Sequence, residues 1–238
     1  MRRLLALFVC VISLPVFAQQ TVINDGNAVK REIGAFTGIK VSGAISVYLS
    51  QSDSYSLAVS SNDSGVINDI KTDVKDNVLN IYMSNAHWRK HLRNVQMRVY
   101  VSFKTLESID VSGASGVFID GTVNSTTMLV RLSGASSIEG NIKAGTISFE
   151  LSGASVSKLA GDAENVKIDA SGASDVKNYD LKTQNCIAKL SGASDARLTI
   201  SNSLVVNASG ASTLFFDGNP EKRMIEKSGA SSVSQKEN

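Results

Sequence analysis

Glu150 and Asp169 are the residues of this sequence best placed for acid–base chemistry. Each stands two positions before a Ser-Gly-Ala-Ser tetrad, one starting at Ser152 and the other at Ser171. If the tetrads mark equivalent points on stacked strands, the two carboxylates lie about 5 Å apart. Retaining glycosidases use a carboxyl pair at that kind of separation. Arg131 and Lys189 occupy the same offset on either side, so the favoured reading of the column is a surface charge ladder. Asp175 and Asp195 share another offset and would suit Ca²⁺ if further oxygen ligands joined them. The Gly-Gly-x-Gly-x-Asp nonapeptides of calcium-binding β-rolls do not occur.

The two histidines, His87 and His91, are four residues apart, a spacing that binds zinc when it falls on a helix. No nearby carboxylate or cysteine completes a ligand set, and the segment lies between strand patterns. The same stretch holds the only Trp, Trp88, among Arg89, Lys90 and Arg93. It reads either as a solvated loop tip or as a contact for a partner, an anionic glycan or phospholipid headgroups. No Ser-His-Asp set, phosphate loop or nucleotide fingerprint is present, and nothing calls for a cofactor.

What must position these side chains is a repeat. Tetrads begin at Ser112, Ser133, Ser152, Ser171, Ser191, Ser209 and Ser228, with successive gaps of 21, 19, 19, 20, 18 and 19 residues. A weaker copy, Ser42-Gly43-Ala44-Ile45, lies 70 residues before the first. Three residues before each tetrad stand Ile109, Val130, Phe149, Ile168, Ala188, Val206 and Ile225; the next position is polar in every copy. The position after that is apolar in all but the last, where Lys227 stands. Five residues after the tetrad start the apolar column resumes, with Ser157 as its exception. Period-two alternation marks strands with one buried face.

Each repeat is therefore strand, corner, strand. Gly tolerates the positive φ of a sharp corner, Ala is expected to point inward, and the serines to bond backbone or their copies in adjacent coils. Self-similarity at this period is the signature of a solenoid. The fold class expected is all-β, a right-handed parallel β-helix with an irregular strand-rich N-terminal part.

The organisation read along the chain is a signal peptide over 1–18, a strand-rich part with the first coils over 19–111, regular coils over 112–233 and a frayed tail over 234–238. Arg2 and Arg3, the apolar run Leu4–Leu14 and Val16-Phe17-Ala18 carry the signal reading. No later run is long and apolar enough to span a bilayer as a helix. The 70-residue gap is not a whole number of coils, so larger coils or an antiparallel hairpin across Asn85–Asn94 are expected, with a capped turn between Asn62 and Ile70. Beyond the signal only Cys186 remains, in a column with Met128, Ile147, Val166 and Leu204, which predicts a buried, inert thiol. A formal charge of +2 from 24 basic and 22 acidic residues gives no reason to expect a nucleic-acid partner.

The tetrads, the opening Phe36-Thr37-Gly38-Ile39-Lys40-Val41-Ser42-Gly43-Ala44 and Gly218-Asn219-Pro220 before the last tetrad resemble the head GIN domain family of auto-transporter adhesins. The resemblance covers Phe36 to Val233. It implies a β-helix and an exported location (periplasmic, outer-membrane associated or extracellular), and brings no catalytic residues. An auto-transporter needs a long C-terminal membrane barrel, and the chain given ends shortly after its last coil, so that part is not expected to carry over. Three readings follow. The first is an adhesin-like envelope binding or structural protein whose face contacts glycan or protein; the second is a polysaccharide-active enzyme on the same fold. The third is a homo-oligomeric assembly module.

Overall fold

The computed structural model describes residues 25–84 and 94–236. The signal reading over 1–18 lies outside them. The described chain is the expected all-β parallel β-helix. Each full coil is one long strand bent around the core and joined to the next by a tetrad. These strands are β9 (Gly116–Leu132), β10 (Ser137–Leu151), β11 (Val156–Ala170), β12 (Asp175–Leu190) and β13 (Asp195–Ala208). Neighbours pair in parallel, with Val117, Ile138, Ser157, Val176, Ala196 and Leu214 in one register column. Stacked columns of Val, Ile and Leu fill a narrow core from end to end.

The corners differ from expectation in one respect. Ala135, Ala154 and Ala173 are exposed, and the second serine of the tetrad points inward. Ser115, Ser136, Ser155, Ser174, Ser194 and Ser212 are all buried. With Gly in the left-handed region (φ 72° at Gly134), the alternation of faces restarts one residue later than Ala. The inward hydroxyls mostly bond backbone carbonyls, as when Ser136 Oγ donates to Val111 O at 3.1 Å and Ser194 Oγ to Ala170 O at 3.3 Å. From Ala135 onward the tetrad Ala N–H donates to the glycine carbonyl of the preceding coil, 2.7 Å from Ala154 to Gly134. The ladder of backbone bonds thus runs unbroken through the turn.

The N-terminal part solves the 70-residue gap by inserting coils out of chain order. Strand β2 (Gly38–Val41) lies in parallel between β6 (Val78–Met83) and β8 (Ser108–Val111). Strand β3 (Ser46–Gln51) lies likewise between β7 (Met97–Phe103) and β9. The Ser42-Gly43-Ala44 corner therefore sits directly against the Ser112 tetrad, where Ser112 N–H donates to Val41 O at 2.9 Å. Strands β6 and β7 pair with β2 and β3 and not with each other; the hairpin expected across Asn85–Asn94 falls on 85–93, outside the described residues. The antiparallel pairing lies at the outer end, where β4 (Ser56–Ser61) joins β7, β5 (Ile70–Lys75) joins β6, and β1 (Val29–Arg31) joins β4. The expected capped turn is a 3₁₀ turn, Ser64–Val66, with Asp63 capping Gly65 N.

An arginine stands at each end of the stack. Arg31 donates to Ile70 O at 2.5 Å and Ile67 O at 2.7 Å at the N-terminal end. At the other end β14 (Thr213–Asp217), β15 (Lys222–Lys227) and β16 (Ser232–Gln235) form the last coils. Arg223 lies 5.3 Å from the Phe216 ring centroid and bonds Asn219 and Pro220 O. Ser234 and Gln235, expected to fray, are in β16, and Lys236 N–H donates to Phe216 O at 2.8 Å. No helix among the described residues is long and apolar enough to cross a membrane.

Candidate functional site

The register does bring Glu150 and Asp169 side by side on adjacent coils. Arg131 takes the first of them, its Nε 2.7 Å from Glu150 Oε2, and that bond raises the already high pKa of the guanidinium. One rung of the expected charge ladder is thus an ion pair, and Lys189 stands in register beside Asp169. Asp175 and Asp195 are also in register, with Arg197 between them: Nη1 lies 2.8 Å from Asp175 Oδ1 and Nη2 3.5 Å from Asp195 Oδ2. Lys177 adds a contact to Asp175 at 3.1 Å. Arg197 and Lys177 are thus the side-chain cations that meet this pair, and no group of three or more metal-ligating side chains occurs among the described residues. Trp88, Arg89, Lys90 and Arg93, with His87 and His91, lie outside the described residues.

Cys186 is buried in the predicted column between Val166 and Leu204. Burial pushes its thiol pKa up to about 12, because the thiolate would lose its hydration. It is a core residue without reactivity at neutral pH.

The structure adds a site the repeat columns do not announce. Strand β3 alternates inward Val47 and Leu49 with outward Ser46, Tyr48 and Ser50. Its parallel neighbours place Tyr100 and Phe118 on either side of Tyr48. The three half-buried rings stack, with centroids 5.2 Å apart from Tyr100 to Tyr48 and 5.3 Å from Tyr48 to Phe118. Two residues further along the strands runs a polar column in the same register, Ser102, Ser50 and Asp120. On the other flank Gly116 leaves room for Phe118, since a Cβ there would stand 3.2 Å from the ring.

These columns line a groove of about 1070 Å³. Its wall is the turn between β3 and β4, where Ser52 Oγ donates to Ser54 O at 2.9 Å. Gln51 ties wall to floor: it donates to Lys104 O at 2.9 Å and accepts from Asn124 N at 2.7 Å. The outer end of the ring stack is fixed by Tyr100 Oη donating to Asp25 Oδ2 at 2.9 Å. Burial, then the bond to Asp25, raises the Tyr100 pKa; the Ser60 hydroxyl is the largest cause of the lowered Asp25 value. The groove thus offers stacked rings, hydroxyls, amides and two opposed charge types on strands hydrogen-bonded on both sides.

Fold and site together define an all-β solenoid with a groove near its N-terminal end. The chain belongs to the family described as "Putative auto-transporter adhesin, head GIN domain", whose model matches residues 35–220. No curated protein matches it. It is similar to a "putative adhesin" from Bacteroides fragilis NCTC 9343, with TM-score 0.81, 17% identity, and coverage of 89% of this chain and 98% of that one. A "putative lipid binding protein" from Parabacteroides distasonis ATCC 8503 gives TM-score 0.62 at 18% identity, covering 90% and 98%. A "putative adhesin" from Parabacteroides merdae ATCC 43184 gives 0.57 at 17%, covering 88% and 95%. At these identities the likeness is one of fold.

Proposed function

We propose that this chain is an exported, non-enzymatic binding module of the cell envelope, which contacts its partner through the solenoid face bearing the aromatic groove. The observation that carries this reading is the Tyr100–Tyr48–Phe118 stack beside the Ser102–Ser50–Asp120 column. Preformed rings and short hydroxyl side chains lose little conformational entropy on contact, which suits a recognition surface. The membership of an adhesin family supports the same reading. Export rests on the sequence of residues 1–18 and on that family.

A glycosidase of the usual kind would need a carboxyl pair free to exchange protons. Glu150 is engaged by Arg131 at 2.7 Å, which supports binding over turnover. The mature chain, incubated with a polysaccharide panel, is expected to release no reducing ends or unsaturated products. Turnover lost in Glu150→Gln or Asp169→Asn would contradict the binding reading.

A further inference from the structure

Of the large apolar side chains exposed among the described residues, Ile187 at 47% and Met224 at 62% stand in one outward column. Its register runs Leu129, Ser148, Lys167, Ile187, Val205 and Met224 over six successive coils. Two residues further along each strand runs the charged column, Arg131, Glu150, Asp169, Lys189, Asn207 and Glu226. Two residues before it lies a polar border, where Asn185 Nδ2 donates to Asn165 Oδ1 at 3.0 Å. We infer that this face pairs with the same face of a second copy. The two stacks run in opposite directions about a two-fold axis parallel to the strands, between β11 and β12.

The order of charges along the stack singles out this pairing. The axis sets β9 opposite β15 of the second copy, β10 opposite β13 and β11 opposite β12. Arg131 then meets Glu226 and Asp169 meets Lys189, each twice by symmetry, while Glu150 meets Asn207. Moving the axis onto β12 sets Lys189 against itself and Glu150 against Glu226. Moving it onto β11 sets Asp169 against itself. In the favoured register the apolar column is covered as well. Met224 lies on Leu129, Val205 on Ser148 and Ile187 on the aliphatic stem of Lys167.

Other occupants fit this face less well. A peptide gains most by adding a strand to a sheet edge, and β10 to β12 are hydrogen-bonded on both sides. A lipid surface would have to bury Glu150, Asp169 and Glu226 beside the apolar column. The face precedes the tetrad corner whereas Tyr48 and Phe118 follow it, so the groove stays open and the pairing is independent of the binding role proposed above. Six coils about 4.8 Å apart and three columns about 7 Å apart give roughly 500 Å² per copy, at the low end for a specific contact. The chain is therefore a monomer at micromolar concentration and a dimer near millimolar.

The test is sedimentation equilibrium of the mature chain from about 10 µM to about 1 mM, the range a contact of this size requires. The apparent mass is expected to rise to that of a dimer and stop there, because a two-fold contact closes on itself. Asp169→Lys and Lys189→Asp are each expected to raise the dissociation constant about tenfold or more, by setting like charges across the interface. Combining the two restores opposite charges, and the double variant is expected within about threefold of the parent. Ile187→Ser alters no charge and should weaken the pair about fivefold or more. All three side chains are exposed, and thermal melts check that the coils remain folded. A chain that is monomeric at the upper concentration, or a mass that grows past the dimer, overturns the inference. So do single variants that associate like the parent, or a charge-swapped double variant no better than the singles.

Discussion

The carbonyl oxygen of Gly134 lies 2.5 Å from the point where a Cβ on Gly153 would stand. The obstacle is backbone, part of the ladder that carries the Ala154 N–H to Gly134 O at 2.7 Å, so it cannot swing aside. Gly153 also has φ 72°. Gly153→Ala is therefore expected to cost about 2–4 kcal/mol, combining a left-handed penalty with a packing clash. Gly121 has φ 77° with nothing within 4 Å of its added Cβ, so Gly121→Ala should cost only about 1–2 kcal/mol. Urea unfolding of both variants checks the difference; equal losses would mean that φ alone makes glycine necessary at the corners.

Asn178 presents a buried amide in a column otherwise apolar. Its Oδ1 accepts from Leu159 N at 2.8 Å and from Ser157 Oγ at 3.3 Å, while its Nδ2 has no hydrogen-bond partner. Leu159 N falls in the stretch where the register between β11 and β12 shifts, so the side chain replaces a missing ladder bond. Asn178→Leu, although it matches Leu198 of the next coil, is expected to destabilise by about 1–3 kcal/mol by orphaning that N–H. A more stable Asn178→Leu variant in the same unfolding assay would show that the unpaired Nδ2 costs more than the bond returns.

The Cys186 thiol has its pKa raised by burial from 9.0 to about 12. The folded state therefore holds the proton more tightly than the unfolded one. The associated stability is complete below pH 9 and declines as pH rises toward 12. Unfolding measured across that alkaline window should show a fall that Cys186→Ala flattens. Native protein should also resist thiol reagents at pH 8, and rapid labelling under native conditions would contradict the buried placement.

Lys227 and Arg223 occupy positions that face inward in the preceding coil, in register with Ala208 and Leu204. Among the described residues no other strand pairs the outer edge of β15, and charge at those positions opposes edge-to-edge pairing there. Replacing both by Leu, beside the already exposed Met224 and Ile225, is expected to produce concentration-dependent self-association in sedimentation velocity. A double variant that stays monomeric would place the protection elsewhere.

The legible part of this fold was whatever repeats in chain order. Seven tetrads and their flanking apolar columns give the coils, the register and the burial of Cys186, because identical stacked environments demand identical residues. The inward serine was missed because both Ala and Ser are small, and only the glycine dihedral decides which turns in. The order of the first coils was not legible, since β6 and β7 follow β2 and β3 in the chain but precede them in the stack. That displacement also hid the ring ladder. Tyr48 and Phe118 stand six residues after Ser42 and Ser112 and could have been aligned, but Tyr100 follows no tetrad. The carboxylate pairs were correctly placed in register; which cation answers each was a matter of side-chain reach.

The claim that the Tyr100–Tyr48–Phe118 face is the contact surface is tested most directly by co-sedimentation with envelope fragments of the producing organism. The parent chain and the Tyr48→Ala/Phe118→Ala double variant are compared at matched concentration, with Glu150→Gln as control. The parent and Glu150→Gln are expected in the pellet and the ladder variant in the supernatant. Equal pelleting of a folded ladder variant would contradict the assignment.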